Sequence, residues 1–91
     1  MTIATTPPPG TPLALNASGQ LSVHLRSLRK SRGLTQTALG ERIGVKQARI
    51  ADIEKNPGAV SVDQLLQVLH ALDARLLLAD TAAPAGAAAD W

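Results

Sequence analysis

Polar side chains that can contact nucleic acid bases cluster in the stretch KQAR, residues 46–49. Lys46 and Arg49 are positively charged donors of hydrogen bonds, and the amide of Gln47 both donates and accepts. Such an amide can make a bidentate pair with adenine, and a lysine or arginine can pair with guanine. Ala48 is small enough to touch a thymine methyl group. The stretch therefore contains residue types that can read base edges.

The surrounding spacing predicts two short helices joined by a tight turn. Thr35 can cap a helix over about 36–43 that buries Ala38, Leu39 and Ile43, and Gly44 then breaks the chain. The next helix runs over about 47–54 with Ile50 and Ile53 inward, and ends at Asn56, Pro57 and Gly58. This is a helix-turn-helix pattern, whose second helix enters the major groove with its N-terminal residues on the bases. The free N–H groups at helix starts also suit phosphate oxygens.

Two further helices and a strand are predicted around this pair. Ser18 can cap a first helix over about 19–32, with Leu21, Leu25 and Leu28 on one apolar stripe and Gly33 as its stop. Ser61 and Gln64 form a capping-box pattern that opens a fourth helix, about 62–72, with the apolar stripe Val62, Leu65, Leu66, Leu69 and Leu72. The short apolar segment 74–79 then predicts a strand.

The predicted organisation is a single small domain between two arms. Residues 1–17 contain four prolines and form a flexible arm, residues 18–73 form the helix-turn-helix domain, and residues 80–91 form a disordered tail. A lone strand over 74–79 leaves its backbone groups unpaired, so we expect it to pair with a second copy through Leu76, Leu77 and Leu78. The predicted fold class is all-α, with four helices and a C-terminal strand that pairs across a homodimer.

The charge is divided unevenly along the chain. Residues 18–56 carry eight basic and three acidic side chains, a net +5, and the residues after them carry one basic and four acidic side chains, a net −3. A basic half favours a polyanionic partner, although a solvated helical surface explains the same pattern. The N-terminus has no signal-peptide pattern, and the apolar run 76–79 is far too short to span a bilayer. We therefore expect a cytoplasmic protein with no membrane partner.

Residues that could support catalysis or metal binding are scarce. The chain has no cysteine, and its two histidines, His24 and His70, lack a second ligand type at metal spacing, so we expect both to be structural. No serine, aspartate and histidine fall into a nucleophile–base arrangement, and there is no glycine-rich phosphate loop. We predict that the protein is not an enzyme and needs no cofactor.

The residues of the helix-turn-helix pattern resemble a known family. Arg29, the run Gly33-Leu34-Thr35-Gln36, Leu39, Ile43-Gly44-Val45, Gln47, Ile50 and Ile53-Glu54 are similar to the Cro/C1-type (XRE) helix-turn-helix family over about residues 21–73. Within it the chain most resembles HipB-type antitoxins, in the opening Lys46-Gln47-Ala48, the ending Glu54-Asn56-Pro57, and the segment 72–80. The chain also stops at a tryptophan, as those antitoxins can.

The resemblance implies roles for particular positions. Gln36 would bond a phosphate, with Thr37 beside it at the DNA. Gln47 and Arg49 would contact bases, and Lys46 would contact a base or phosphate. Arg29 and Glu54 would form an internal ion pair. The sequence departs from the family at three places. Thr37 and Ala38 stand where the family often has a glutamate, and Gly40 stands where alanine is common. Arg49 stands where a smaller hydroxyl residue is usual. Arg49 should therefore change the operator sequence, and Gly40 indicates close packing of the two helices.

The implied function is a repressor and antitoxin that binds its own operon's palindromic operator and a HipA-like serine/threonine kinase toxin. Trp91, the sole aromatic residue, is the candidate anchor for that kinase, because tryptophan is common in binding hot spots; a stray exposed terminus is the alternative. The runner-up function is a stand-alone repressor without a toxin. A third possibility is a protein-interaction module whose helix-turn-helix has lost DNA binding.

Overall fold

The computed structural model describes Gly10 and residues 12–82. These residues contain four α-helices, α1 (Ser18–Ser31), α2 (Gln36–Ile43), α3 (Gln47–Lys55) and α4 (Val62–Ala71), and a single 3-10 turn at Pro57–Ala59. The all-α prediction is confirmed, and each predicted helix is present with both ends within one residue of its expected place. None of the described helices combines the length and apolar composition needed to cross a membrane.

The helix ends follow local chemistry, with one correction. Thr35 and Ser61 cap α2 and α4 as predicted, because their hydroxyls accept from the backbone N–H of the third residue of each helix, Ala38 at 3.0 Å and Gln64 at 3.1 Å. The predicted Ser18 cap is wrong, since Ala17 is the N-cap of α1. The Gln20 side chain reaches back there and accepts from the backbone N–H of Asn16 and Ala17, so helix α1 begins one residue earlier.

A single apolar core holds the helices together. Its buried members come from all four helices and the residue after α4: Leu25, Leu39, Ile50, Ile53, Leu65, Val68, Leu69 and Leu72. The predicted inner faces of α1, α2 and α3 all contribute to it. The predicted stripe on α4 is partly wrong, because Val62 is 64% and Leu66 42% exposed while Val68 is buried. The inward face of α4 is the narrower set at positions 65, 68, 69 and 72, one side of a 3.6-residue period.

Helices α2 and α3 approach closely at Gly40. A Cβ atom at this position would lie 2.5 Å from the carbonyl oxygen of Val45 and 3.4 Å from a side-chain carbon of Ile50. The predicted reason for this helix-interior glycine is therefore present in the structure. Gly44 adopts φ +78°, a left-handed conformation that glycine tolerates without a Cβ penalty, and it directs the chain from α2 into α3. The turn thus sets the angle at which α3 leaves α2.

The segment after α4 runs along the surface without forming a helix or a strand over residues 74–82. Two arginines fasten its beginning, since Arg32 Nε donates to the carbonyl of Leu72 at 2.9 Å and Arg42 Nη1 to that of Ala71 at 3.2 Å. Leu76, Leu77 and Leu78 are 41%, 56% and 98% exposed. A strand at 74–79 requires a pairing partner, so the strand and its homodimer stay predictions.

Candidate nucleic-acid interface

The start of α3 presents the four residues that the sequence singled out. Lys46 is its N-cap, with φ −83° and ψ 161°, and Gln47, Ala48 and Arg49 form its first turn. All four are exposed, whereas Ile50 and Ile53 on the opposite side of the helix are fully buried. Burial of the isoleucines therefore fixes which side of α3 faces solvent, and that side carries the polar residues.

The start of α2 lies next to the start of α3. Thr35 holds the first turn of α2, so that Gln36 is half-buried and Thr37 is exposed. Gln47 Nε2 donates to Gln36 Oε1 at 2.6 Å, which joins the two helix starts through their side chains. A candidate phosphate-binding residue and a candidate base-reading residue are thus in direct contact.

Glu54 is the buried anchor of this contact. Its side chain is 1% exposed, and its Oε1 accepts from Gln36 Nε2 at 3.1 Å. Arg29 Nε lies 2.6 Å from Glu54 Oε2, and Arg29 Nη2 lies 3.3 Å from Oε1. The structure thus contains the ion pair that the resemblance implied, in a geometry with two hydrogen bonds that suits a buried carboxylate. A chain of hydrogen bonds therefore runs from Gln47 through Gln36 to the core.

Arg29 extends the network to the turn before α2. Its Nη1 donates to the backbone carbonyl of Leu34 at 2.9 Å, so one guanidinium binds α3 and the α1–α2 connection together. Arg26, one turn earlier on α1, places its Nε 3.9 Å from Glu54 Oε1 and has a side chain that is 49% exposed. Arg26 was not among the predicted site residues, although its spacing of three residues from Arg29 puts both on one face of a helix.

Arg49 is engaged differently from Gln47. Its Nε donates to Gln64 Oε1 at 3.0 Å, and its Nη2 donates to the same oxygen. Gln64 lies in the first turn of α4, where its own N–H is bound by Ser61. The sequence predicted that Gln64 would serve the capping box of α4, and its side-chain oxygen instead accepts from α3. Gln64 thus adds to the candidate interface, and its position in the sequence gave no sign of this contact.

Other predicted site residues lie apart from this surface or outside the described residues. Leu76, Leu77 and Leu78 follow α4 and face solvent. Trp91 lies outside the described residues. His24 is half-buried within α1 and His70 is exposed near the end of α4. Over the part of the chain that the structure describes, no three histidine, aspartate or glutamate side chains are grouped to hold a metal ion.

Two short helices joined through a left-handed glycine, with the second helix presenting its polar N-terminal turn, define a helix-turn-helix protein. Residues 25–77 match the helix-turn-helix family. The chain is 34% identical over 61 residues to Antitoxin HipB of Escherichia coli O6:H1 strain CFT073, covering 67% of this chain and 65% of that protein. It is 33% identical over 61 residues to Antitoxin HipB of Escherichia coli K12, covering 67% of this chain and 69% of that protein.

A solved structure of a HipA–HipB–O2–O3 complex contains a chain with the same fold. It superimposes with a TM-score of 0.70 at 30% identity, covering 76% of this chain and 97% of that one. The chain therefore belongs to the XRE-type helix-turn-helix family, and within that family it is similar to HipB antitoxins. This confirms the resemblance drawn from the sequence. Membership of this family also supports the prediction that the protein is not an enzyme.

Proposed function

We propose that this chain is a sequence-specific DNA-binding repressor that acts as an antitoxin and reads its operator from the start of α3. The supporting observation is that the candidate base readers Gln47 and Arg49 are exposed on one helix end, and that each is held by a side chain from another helix. An α-helix fits the major groove, and side chains at its N-terminal end reach the bases. Gln47 pairs with adenine and Arg49 with guanine.

The neighbouring residues position the protein on the backbone of the duplex. Lys46 contacts a base or phosphate, Ala48 contacts a thymine methyl group, and Thr37 lies at the DNA beside Gln36. The Gln36 amide nitrogen has two N–H groups, of which Glu54 takes one. The other N–H is then available to a phosphate oxygen while the Gln36 carbonyl accepts from Gln47. One glutamine would thus connect phosphate binding with base reading.

The DNA-binding unit in this proposal is a homodimer. The exposed leucines at 76–78 give the segment 74–79 an apolar edge that a second copy would cover by strand pairing, and Val62 and Leu66 add exposed apolar surface on α4. A two-fold axis would place two copies of α3 in successive major grooves, about 34–36 Å apart. The operator would then be palindromic. We propose that it lies in the protein's own operon and that the protein acts in the cytoplasm.

The proposed protein partner is a HipA-like serine/threonine kinase toxin. The support is the likeness to proteins called Antitoxin HipB and to a chain in a solved HipA–HipB–O2–O3 complex. Trp91 is the proposed anchor for that kinase, because tryptophan is a frequent hot-spot residue. Deleting residues 80–91 should leave operator binding unchanged and weaken capture of the kinase encoded beside this gene. Unchanged capture would remove the anchor, and an absent neighbouring kinase gene would favour a stand-alone repressor.

The DNA-binding half of the proposal is tested with one exchange and a matched control. Gln47→Ala should lower the preference for one base pair of the operator, by about 1–3 kcal/mol for a lost bidentate pair. Gln67→Ala makes the same chemical change on the exposed surface beside His70 and should alter nothing. Fluorescence anisotropy with a panel of single-base-pair operator variants measures both. If Gln47→Ala keeps the wild-type preference at every position, the assignment of Gln47 is wrong.

Salt dependence separates this proposal from an interaction module that has lost DNA. Phosphate contacts made by lysine and arginine release counterions. The logarithm of the binding constant for DNA should therefore fall linearly, and steeply, with the logarithm of the salt concentration. The full-length protein is titrated into operator duplex at several salt concentrations. Absence of saturable, salt-sensitive binding would contradict the repressor function.

A further inference from the structure

The contact between Arg49 and Gln64 involves a residue outside the helix-turn-helix pair. Gln64 belongs to α4, yet its side-chain oxygen accepts from both Nε and Nη2 of Arg49 on α3. The backbone of Gln64 is itself fixed, because its N–H donates to the Ser61 hydroxyl at 3.1 Å in the cap of α4. The side-chain oxygen that accepts from Arg49 therefore belongs to a residue in the capped first turn of α4, and not to a loop residue.

The donors that this contact leaves available are those needed for guanine. A guanidinium has five N–H groups, one on Nε and two on each terminal nitrogen. Gln64 occupies the Nε–H and one N–H of Nη2, which form the side edge of the group. The end edge keeps one N–H on Nη2 and one on Nη1, and this pair of parallel donors can bind O6 and N7 of one guanine. The contact with Gln64 is thus compatible with guanine binding at the other edge.

We propose that Gln64 is a positioning residue that fixes the guanidinium of Arg49 for guanine, so that specificity at this base pair depends on α4 as well as α3. The inference rests on the proposed function, sequence-specific DNA binding. Arginine has a long side chain with many rotamers, and a bound acceptor restricts it before DNA arrives. Held in this way, Arg49 presents its donors in one plane and discriminates against bases without two facing acceptors. Without Gln64 it would bind phosphates and other bases more readily.

The test uses two exchanges at Gln64 in the full chain. Gln64→Ala removes the acceptor while the net charge stays the same. It should lower the preference for guanine at the Arg49 base pair by about three- to tenfold, the effect of one hydrogen bond, and leave affinity for scrambled DNA equal or higher. The base pair is identified as the one where Arg49→Ala abolishes discrimination. Affinities come from fluorescence anisotropy, and thermal unfolding monitors the fold.

Gln64→Glu provides the rescue by a similar side chain. A carboxylate keeps an acceptor oxygen for Arg49, so the guanine preference should return to the wild-type value or exceed it. The added negative charge near the duplex should weaken binding to all sequences by a similar factor. Gln67→Ala on the same helix should behave as wild type in every measurement.

Three results would overturn the inference. The first is a wild-type guanine preference in Gln64→Ala, and the second is a Gln64→Glu protein that loses as much preference as Gln64→Ala. In both cases operator binding by the wild-type chain would stand, and only the role of Gln64 would fall. The third is a wild-type chain that binds operator and scrambled DNA equally, which would end the proposed function and this inference together.

Discussion

The two candidate base readers on α3 are both exposed, but the hydrogen-bond partners behind them differ in burial. Gln47 joins a hydrogen-bond chain that passes through Gln36 to Glu54, a carboxylate that is 1% exposed and paired with Arg29. Arg49, two residues later in the chain, contacts Gln64 near the surface. One reader is therefore tied to a buried charge, and the other is tied to an exposed helix start.

This difference separates the part of the interface that the fold requires from the part that can vary. An exchange at Glu54 or Arg29 breaks the buried ion pair behind Gln36 and Gln47, and breaking such a pair is costly. An exchange at Arg49 or Gln64 disturbs a contact close to solvent, where such contacts contribute little to stability. We infer that folding constrains Glu54 and Arg29, which support the hydrogen bonds behind Gln47, whereas the contact between Arg49 and Gln64 can change without loss of the fold.

The largest expected effect is on the free energy of unfolding, from breaking the buried ion pair of Arg29 and Glu54. Glu54→Ala leaves Arg29 without its carboxylate partner at a site where the Arg29 side chain is only 12% exposed. We expect a loss of about 3–5 kcal/mol in the free energy of unfolding, measured by urea denaturation with circular dichroism. Glu41→Ala, which removes an exposed carboxylate from α2, is the control and should change little. A Glu54→Ala protein as stable as the control would remove the distinction between the two readers.

A smaller effect should follow from filling the space between α2 and α3. In Gly40→Ala the new Cβ would meet the backbone oxygen of Val45, which cannot move without moving the turn. The expected loss in the free energy of unfolding is about 1–3 kcal/mol. Because α2 must shift, Gln36 should separate from Gln47, and preference at the base pair of Gln47 should fall while that of Arg49 holds.

Gly19→Ala is the matched control for this exchange. A Cβ at Gly19 would meet nothing within 4 Å, so alanine should stabilise α1 by up to about 1 kcal/mol. Thermal unfolding of the two variants should move in opposite directions. A Gly40→Ala protein that is stabilised like Gly19→Ala would show that α2 and α3 do not depend on this close approach.

The smallest expected effect is on DNA binding alone. Gln36→Ala removes the proposed phosphate contact and the acceptor for Gln47, so affinity for all duplexes should fall by about 1 kcal/mol, one hydrogen bond. The preference at the base pair of Gln47 should also weaken, and that at the base pair of Arg49 should not. Anisotropy on the operator panel measures all three quantities. Equal loss of preference at both positions would mean that the two readers are not held independently.

Local signals in the sequence were enough to predict the helices and most of their ends. The hydroxyl residues Thr35 and Ser61 cap the helices that they were expected to cap, and Gly44 ends α2. These features depend on a few neighbouring residues and so can be read from spacing. The N-cap of α1 is Ala17 and not Ser18, because the Gln20 side chain accepts from the backbone N–H groups of Asn16 and Ala17, and spacing alone does not rank two neighbouring positions as caps.

Features set by packing between helices were harder to predict. The width of the buried face of α4 depends on which helices cover it, so Val62 and Leu66 looked like core residues although they are exposed. Gln64 has a local partner in the capping-box pattern and a distant one in Arg49, and only the fold brings Arg49 within 3.0 Å. The strand at 74–79 depends on a second copy, and therefore stays a prediction.

Nuclear magnetic resonance of the side-chain amide of Gln47 tests the central claim most directly. The full-length, nitrogen-15-labelled protein is titrated with its operator duplex and, separately, with a scrambled duplex of equal length. If Gln47 reads a base, its side-chain N–H signals should shift on the operator and shift differently, or very little, on the scrambled duplex. Signals that stay unchanged on the operator, or move identically on both duplexes, would contradict the account.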